Sequence, residues 1–438
     1  MCLFTPIAWS TPVASGAAMG TLLRSLGTLS LDETGTMETA EAAGHVRAIT
    51  SSKAPIERAI EAGVFLLPLA CWPDLDRPFS TPKVFVMIAL AALACTRYFA
   101  RTSTSGGGDW PWLAWPAAVA LSALLSRNAS PEALLLAVLP LPVCWAAREG
   151  HEPPERLERV LLISSLIESV LILLQYFYLD PFALLGWRPE TLAEPRMRLF
   201  GTFGNPNFAA AWLCATLPLY LGVPWRGRML PIAGAALQVA AILATGSRAA
   251  ALAVPAAAVV LAWQNPRLRG WLPAAALLAV AVVWLSPGRP LASTIEGRLY
   301  YARVIAPHLA SIPPAGYGPG SFEDRFAAWQ SGWARTGGDM RFAGPLDHAH
   351  NDYLEIWVEY GPAGVAAFLG LLGWLAWGAW RSTATAETAG TAAWAAVAAL
   401  GAVALVDFPF HRPAEWTLCW LLLGLVSRST RREPNADS

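Results

Sequence analysis

Residues 229–264 read MLPIAGAALQVAAILATGSRAAALAVPAAAVVLAWQ. Two apolar runs, 229–245 and 248–264, are separated by one polar break, Thr245-Gly246-Ser247. Each run approaches the roughly 20 residues that a helix needs to cross a bilayer. A lipid-exposed strand would leave backbone groups unpaired, so both runs are predicted to be helices joined by a tight turn. Outward from this pair the pattern repeats. Apolar runs occur at 56–72, 83–100, 111–126, 131–147, 158–179 and 206–223, then at 270–286, 354–379, 390–407 and 413–427. With the central pair they make 12 runs, which predicts an all-α polytopic membrane protein of about 12 transmembrane helices.

Composition agrees with that reading. The chain has 438 residues, 55% of them hydrophobic and only 14% charged, with a mean hydropathy of +0.42. A soluble protein carries nearer a quarter charged residues. An ordinary cytosolic enzyme and a disordered chain are thereby excluded. Basic and acidic residues balance at 31 each, so no global field draws nucleic acid. The six cysteines are scattered, mostly inside apolar runs, without metal-site or disulfide spacing.

Residues 1–54 are rich in Ser, Thr and Ala and lack the basic start of a signal peptide. They are expected to form a disordered cytoplasmic tail, or to lie upstream of a true start at Met19 or Met37. The membrane domain is expected over 55–428, with a short cytoplasmic tail at 429–438. With a cytoplasmic N-terminus, every inside segment carries arginine: Arg97 and Arg101, then Arg148, Arg156 and Arg159, Arg226 and Arg228, Arg267 and Arg269, Arg381, and Arg428 at the end. That is the positive-inside pattern. It places the long loops 180–205 and 287–353 on the extracytoplasmic face, together with nearly all the motif-like residues.

Four clusters stand out there. Arg196-Met-Arg198-Leu-Phe-Gly-Thr-Phe-Gly-Asn205-Pro-Asn207 is too rich in glycine and proline for a regular helix. It reads either as a shaped substrate loop or as a helix cap with snorkelling arginines. Arg248 sits at a membrane boundary with little polar company, which makes it a candidate anion ligand or an interfacial snorkel. Loop 287–353 holds Arg298, Tyr300, Tyr301 and Arg303 at helical spacing; Arg298, Tyr301 and Ile305 on one face suggest an amphipathic helix lying on the membrane. Its Gly316-Tyr-Gly-Pro-Gly-Ser-Phe322 run lacks the GK[ST] of a phosphate loop and reads as a tight turn.

The fourth cluster is Asp347-His348-Ala-His350-Asn-Asp352-Tyr353-Leu-Glu355-Ile-Trp-Val-Glu359-Tyr-Gly361. Asp352, Glu355 and Glu359 share one helical face. A His-x-His pair with acids can bind zinc, but no third histidine lies nearby in sequence, so no metal site is expected. A histidine base oriented by a carboxylate suits the pattern better, and the residues alone leave His348 and His350 equivalent. For a smaller cluster, Asp407-Phe-Pro-Phe-His411-Arg412-Pro413, packing and turn roles suffice. Arginines facing a histidine–acid cluster suit transfer from a lipid phosphate leaving group to an alcohol. The rival is a transporter or flippase of a small solute or lipid-linked glycan. Against it, the runs are nearly free of ionisable residues, Glu168 being the main exception.

Taken together, RLFGTFGNPN (198–207), TGSR (245–248), the arginine-bearing loop helix before GYGPGSF (316–322), and HAHNDYLEIWVEYG (348–361) resemble the O-antigen ligase family, polytopic membrane glycosyltransferases of surface-glycan assembly. The resemblance spans about 60–427. It implies a C-type glycosyltransferase fold and a metal-independent, cofactor-free enzyme. The donor it implies is a polyprenyl (undecaprenyl) diphosphate-linked glycan; the acceptor is a glycan or a lipid A-core-like molecule. The family's functional histidine falls on His350. Its diphosphate-facing arginines fall on Arg198 or Arg248 and on Arg298 or Arg303. Asn205, Asn207, Tyr301, His348, Asp352, Tyr353 and Glu355 are carried as further substrate-site candidates. The implied location is the inner membrane, with the site on the periplasmic face. The N-terminal tail departs from the family pattern, and the family itself includes ligases, polymerases and protein-acceptor transferases.

Overall fold

Proline sets the starts of many helices. Pro111, Pro131, Pro140, Pro154, Pro206 and Pro413 each occupy a first helical position, where the missing N–H costs nothing and the fixed φ is already helical. The computed structural model describes residues 55–99, 111–126, 129–150, 152–184, 186, 199–285, 291–381 and 388–431. The expected tail at 1–54 falls outside that set, as do Arg196 and Arg198 and residues 432–438 of the tail expected at 429–438, whose first three residues continue the last helix.

Each of the 12 apolar runs is helical, and no strand occurs among the described residues. The helices are α1 (55–69), α2 (Thr81–Phe99), α3 (Pro111–Leu125), α4 (Pro131–Val138), α5 (Pro140–Arg148), α6 (Pro154–Tyr176), α7 (Pro206–Thr216) and α8 (Met229–Thr245). They continue with α9 (Ala250–Gln264), α10 (Leu272–Leu285), α11 (Leu291–Ile305), α12 (Phe322–Arg335), α13 (Asp352–Arg381), α14 (Thr388–Val403) and α15 (Pro413–Arg431). By length and composition three stretches are apolar enough to cross a membrane: Pro131–Arg148, Pro266–Trp284 and Asp352–Ala379. Four shorter apolar helices accompany them. The run 131–147 is broken at Leu139-Pro140, where proline cannot donate the backbone bond that would continue α4.

α15 packs along α5 and α14, α14 along α9 and α7, α13 along α3, and α8 along α6. Small residues make the close approaches: Ala209, Ala210, Ala211 and Ala215 on α7 and Ala392, Ala393, Ala395, Ala396 and Ala399 on α14 are buried, the mode of packing that membrane helices use. Large apolar side chains meanwhile point outward, among them Leu113, Leu124, Leu230, Leu277 and Trp284. Outward-facing leucine and tryptophan at this density suit lipid as the solvent.

The stretch after α10 has its own small apolar core. Tyr300, Val304 and Ile305 of α11 pack on Phe322 and Phe326 of α12, with Ile312, Leu346, Ala349 and Val358 completing the cluster. This corrects one expectation. The Arg298–Tyr301–Ile305 face of α11 does not lie on a membrane surface but turns into the protein: Ile305 is fully buried and Tyr301 stacks on His350 at 5.9 Å. Phe326 of α12 and His350 of the 347–351 loop pack against Tyr301 on that face.

The glycine run is a turn, as expected, and it locks onto a kink in α13. Gly361 adopts φ 67°, ψ −176° between two helical segments, a conformation open to glycine almost alone. A Cβ there would strike the Pro314 carbonyl, and one on Gly316 (φ 74°) would strike the Glu359 carbonyl. The two backbones lie that close because Tyr317 and Gly318 donate to the carbonyls of Val358 and Glu359 at 3.0 and 2.9 Å. Gly361→Ala is expected to cost about 2–4 kcal/mol, from backbone strain plus overpacking. The readout is Tm in detergent; Gly370→Ala on the same helix, with open space around it, serves as the neutral comparison.

Candidate active site

The loop Asp347–Asn351 arrives at the start of α13 with two histidines on either side of one ring. His348 stacks on Phe408 at 4.2 Å, while His350 meets the same ring edge-on at 5.2 Å. Phe408 belongs to the turn between α14 and α15, for which the sequence predicts only packing and turn roles. That turn is in fact central to both groups of polar residues.

On the His350 side, Tyr301 stacks nearly parallel to the imidazole, at 17°. Asp407, buried, places Oδ1 3.7 Å from His350 Nδ1, beyond a formed hydrogen bond but in direct electrostatic contact. Catalytic hydrogen bonds of this kind are often long before substrate binds. Arg298 of α11 feels Asp407, Tyr301 and Arg248 together. Burial pulls its pKa below the ordinary arginine value, Asp407 and Tyr301 resist, and the Arg248 charge pushes it further down. Arg248 is held at the α8–α9 turn, where Gly246 takes the left-handed conformation that ends α8. Its Nη1 donates to Thr294 Oγ1 of α11 at 2.7 Å. Two guanidinium groups are thus gathered beside a buried aspartate and a histidine. His350 itself sits at φ 50°, one of two non-glycine residues with positive φ among the described residues. Such backbone strain collects at functional sites because surrounding contacts must hold it there.

On the His348 side lies a cavity of about 550 Å³. Its walls include Glu132, Glu323, Asp347, Glu355, Glu359 and Glu415 against Arg77, Lys83 and Arg412, with His348 and His411 between them. His348 Nδ1 lies 2.7 Å from Glu355 Oε1, whose other oxygen accepts from the Ala349 N–H at 2.8 Å. His411 Nδ1 lies 2.6 Å from Asp352 Oδ1, and Asp352 Oδ2 accepts from the Phe410 N–H at 2.8 Å. His411 Nε2 faces Glu355 and Glu359. Burial alone would lower the His411 pKa, but Glu355, Asp352 and Glu359 together raise it well above the usual imidazole value. The third histidine that spacing could not supply therefore comes from 59 residues beyond Asp352.

Arg412, buried, places its guanidinium carbon 3.6 Å from the Phe208 ring centroid and pairs with Glu415 at 3.1 Å. Lys83, one of two lysines in the chain, donates to the carbonyls of Ala70 and Thr202, both at 2.7 Å. The Thr202 N–H and hydroxyl in turn donate to Glu168 at 2.9 and 2.8 Å. Glu168 and Lys83 thereby clamp the GTFG segment from opposite sides. Asn205 caps α7 by accepting from the Asn207 N–H at 2.9 Å, the capping alternative for that motif.

Of the candidates named from sequence, Arg248, Arg298, Tyr301 and His350 come together, and His348, Asp352 and Glu355 form the second group. Tyr353 donates its hydroxyl to the Gly401 carbonyl at 2.9 Å and joins α13 to α14. Arg303 is exposed, and its charge acts on Asp339 instead. Sequence reading passed over Lys83, Asp407, His411 and Arg412. The available signal was three ionisable residues crowded into the six positions between two apolar runs, 407–412.

No curated protein matches the chain. Residues 233–369 match the family model described as O-antigen ligase. That stretch carries Arg248, Arg298, Tyr301, both loop histidines and the acidic face of α13, and its match supports an assignment to the O-antigen ligase family.

Proposed function

We propose that this protein transfers a glycan from a polyprenyl diphosphate-linked donor, undecaprenyl in the implied case, to an acceptor hydroxyl at the extracytoplasmic face of the inner membrane, as a ligase-like or polymerase-like enzyme of surface polysaccharide assembly. The observation that carries this reading is the gathering of Arg248 and Arg298 beside His350, all three within the family-matched stretch, with His350 facing Asp407, which lies beyond it. The arginine content of the segments on the opposite face supports the orientation.

His350 takes the proton of the acceptor hydroxyl, and Asp407 steadies the imidazolium that results. The hydroxyl oxygen forms the new bond to the anomeric carbon as the bond from that carbon to the diphosphate oxygen breaks. Arg248 and Arg298 meet the charge that develops on the departing diphosphate. The lipid-linked diphosphate and the proton leave separately, and one displacement inverts the anomeric centre. No metal ion is needed at the reacting atoms. Glu168, a buried acid within α6, accepts from the Thr202 N–H and hydroxyl.

The test is purified protein with polyprenyl diphosphate-linked glycan, with and without a candidate acceptor, read by gel and mass spectrometry. Donor consumption with a single acceptor adduct is the ligase outcome; a ladder of lengthening lipid-linked chains is the polymerase outcome. An authenticated donor left intact, with movement across sealed vesicles and no change of covalent structure, would replace this reading with transport.

A further inference from the structure

His348, Glu355 and His411 come from a loop, a helix and a turn, yet each directs a ligand atom to one place. The three atoms lie within 4.8 Å of one another. His411 Nε2 stands 3.5 Å from Glu355 Oε1 and 3.6 Å from Glu359 Oε2. Those gaps are too long for good hydrogen bonds. They match the edge of a tetrahedron whose metal–ligand bonds are about 2.1 Å, which is roughly 3.4 Å; the His348 Nδ1–Glu355 Oε1 contact, a hydrogen bond at 2.7 Å, has to open for both to bind one ion. Asp352 occupies His411 Nδ1 at 2.6 Å. A carboxylate on the far nitrogen leaves Nε2 to present its lone pair, the outer-shell partner of metal-binding histidines.

A separate observation points to the same place. Glu359 has a side chain 2% exposed, and its Oε2 accepts no hydrogen bond although it faces the His411 ring. A buried carboxylate oxygen left this way is costly, and a bound cation removes the cost. All four side chains line the cavity of about 550 Å³, which supplies a way in.

We propose that His348, Glu355, Glu359 and His411 form a site for one divalent cation of the zinc class. Two imidazoles with two carboxylates favour zinc over magnesium or calcium, which prefer oxygen alone. Binding displaces protons from the imidazoles to solvent. The ion would tie the 347–351 loop, α13 and the 407–412 turn together at one point. His350 is not among its ligands, so the proposal stands whether or not His350 is the catalytic base.

The experiment uses the full chain in detergent, stripped with a chelator and titrated with zinc chloride by calorimetry, with zinc content checked by elemental analysis. About one equivalent is expected for wild type and for His350→Ala. Glu359→Gln, which conserves shape, is expected to weaken binding about tenfold or more, and Asp352→Asn about 10- to 100-fold. Magnesium chloride at equal concentration should not compete. Absence of stoichiometric zinc in wild type would overturn the site, as would undiminished binding in Glu359→Gln and Asp352→Asn proteins that elute as folded species. Zinc stoichiometry is read without any glycan, so a failed transfer assay leaves this result intact.

Discussion

Replacing His350 with alanine is expected to lower glycan transfer by about 100- to 10,000-fold, the range that a positioned general base contributes. The protein should remain in the membrane with wild-type Tm, because the ring packs at the surface of the Tyr301–Phe408 cluster and not in the main core. The measurement is single-turnover donor consumption. His308→Ala supplies the comparison: that imidazole stacks on Trp329, away from the cluster, and its loss should leave the rate near wild type. A well-expressed His350→Ala protein that transfers normally would remove His350 from the mechanism.

The second large effect separates two arginines that spacing alone could not rank. Arg298→Ala is expected to reduce kcat/KM by about 100- to 1,000-fold, as loss of one charge-stabilising donor does in a preorganised site. Arg303→Ala should leave kcat/KM near wild type. The two lie five positions apart on α11, which turns them to different sides of the helix. Arg298 is half-buried and feels Asp407, whereas Arg303 is exposed and acts on Asp339. Equal losses in both variants would mean that the diphosphate reaches across α11, and the assignment to Arg298 would fall.

Apolar run length was enough to find the apolar helices, because in lipid the backbone must pair with itself and only helices do so within one segment. It gave no sign of α12, whose sequence is polar, or of the break between α4 and α5. The spacing of Asp352, Glu355 and Glu359 was equally informative, since a shared helical face follows from 3.6 residues per turn. The α8–α9 turn was legible for a similar reason: Gly246 takes the left-handed conformation where almost no loop remains. The face of α11 was misread. An amphipathic pattern says that one side is apolar, but it does not say whether lipid or Phe326 covers it.

Local periodicity and composition thus carried the membrane-helix character and the family-bearing motifs. They left His348 and His350 equivalent, because two residues at i and i+2 of one loop share every sequence neighbour. Tertiary packing separates the pair. Phe408 arrives from the far turn, gives His348 to Glu355 and His411, and leaves His350 to Asp407, Tyr301 and the arginines. Asp407 and His411 lie some 60 positions further along the chain, and contacts of that separation are set by how helices dock, which no local pattern encodes.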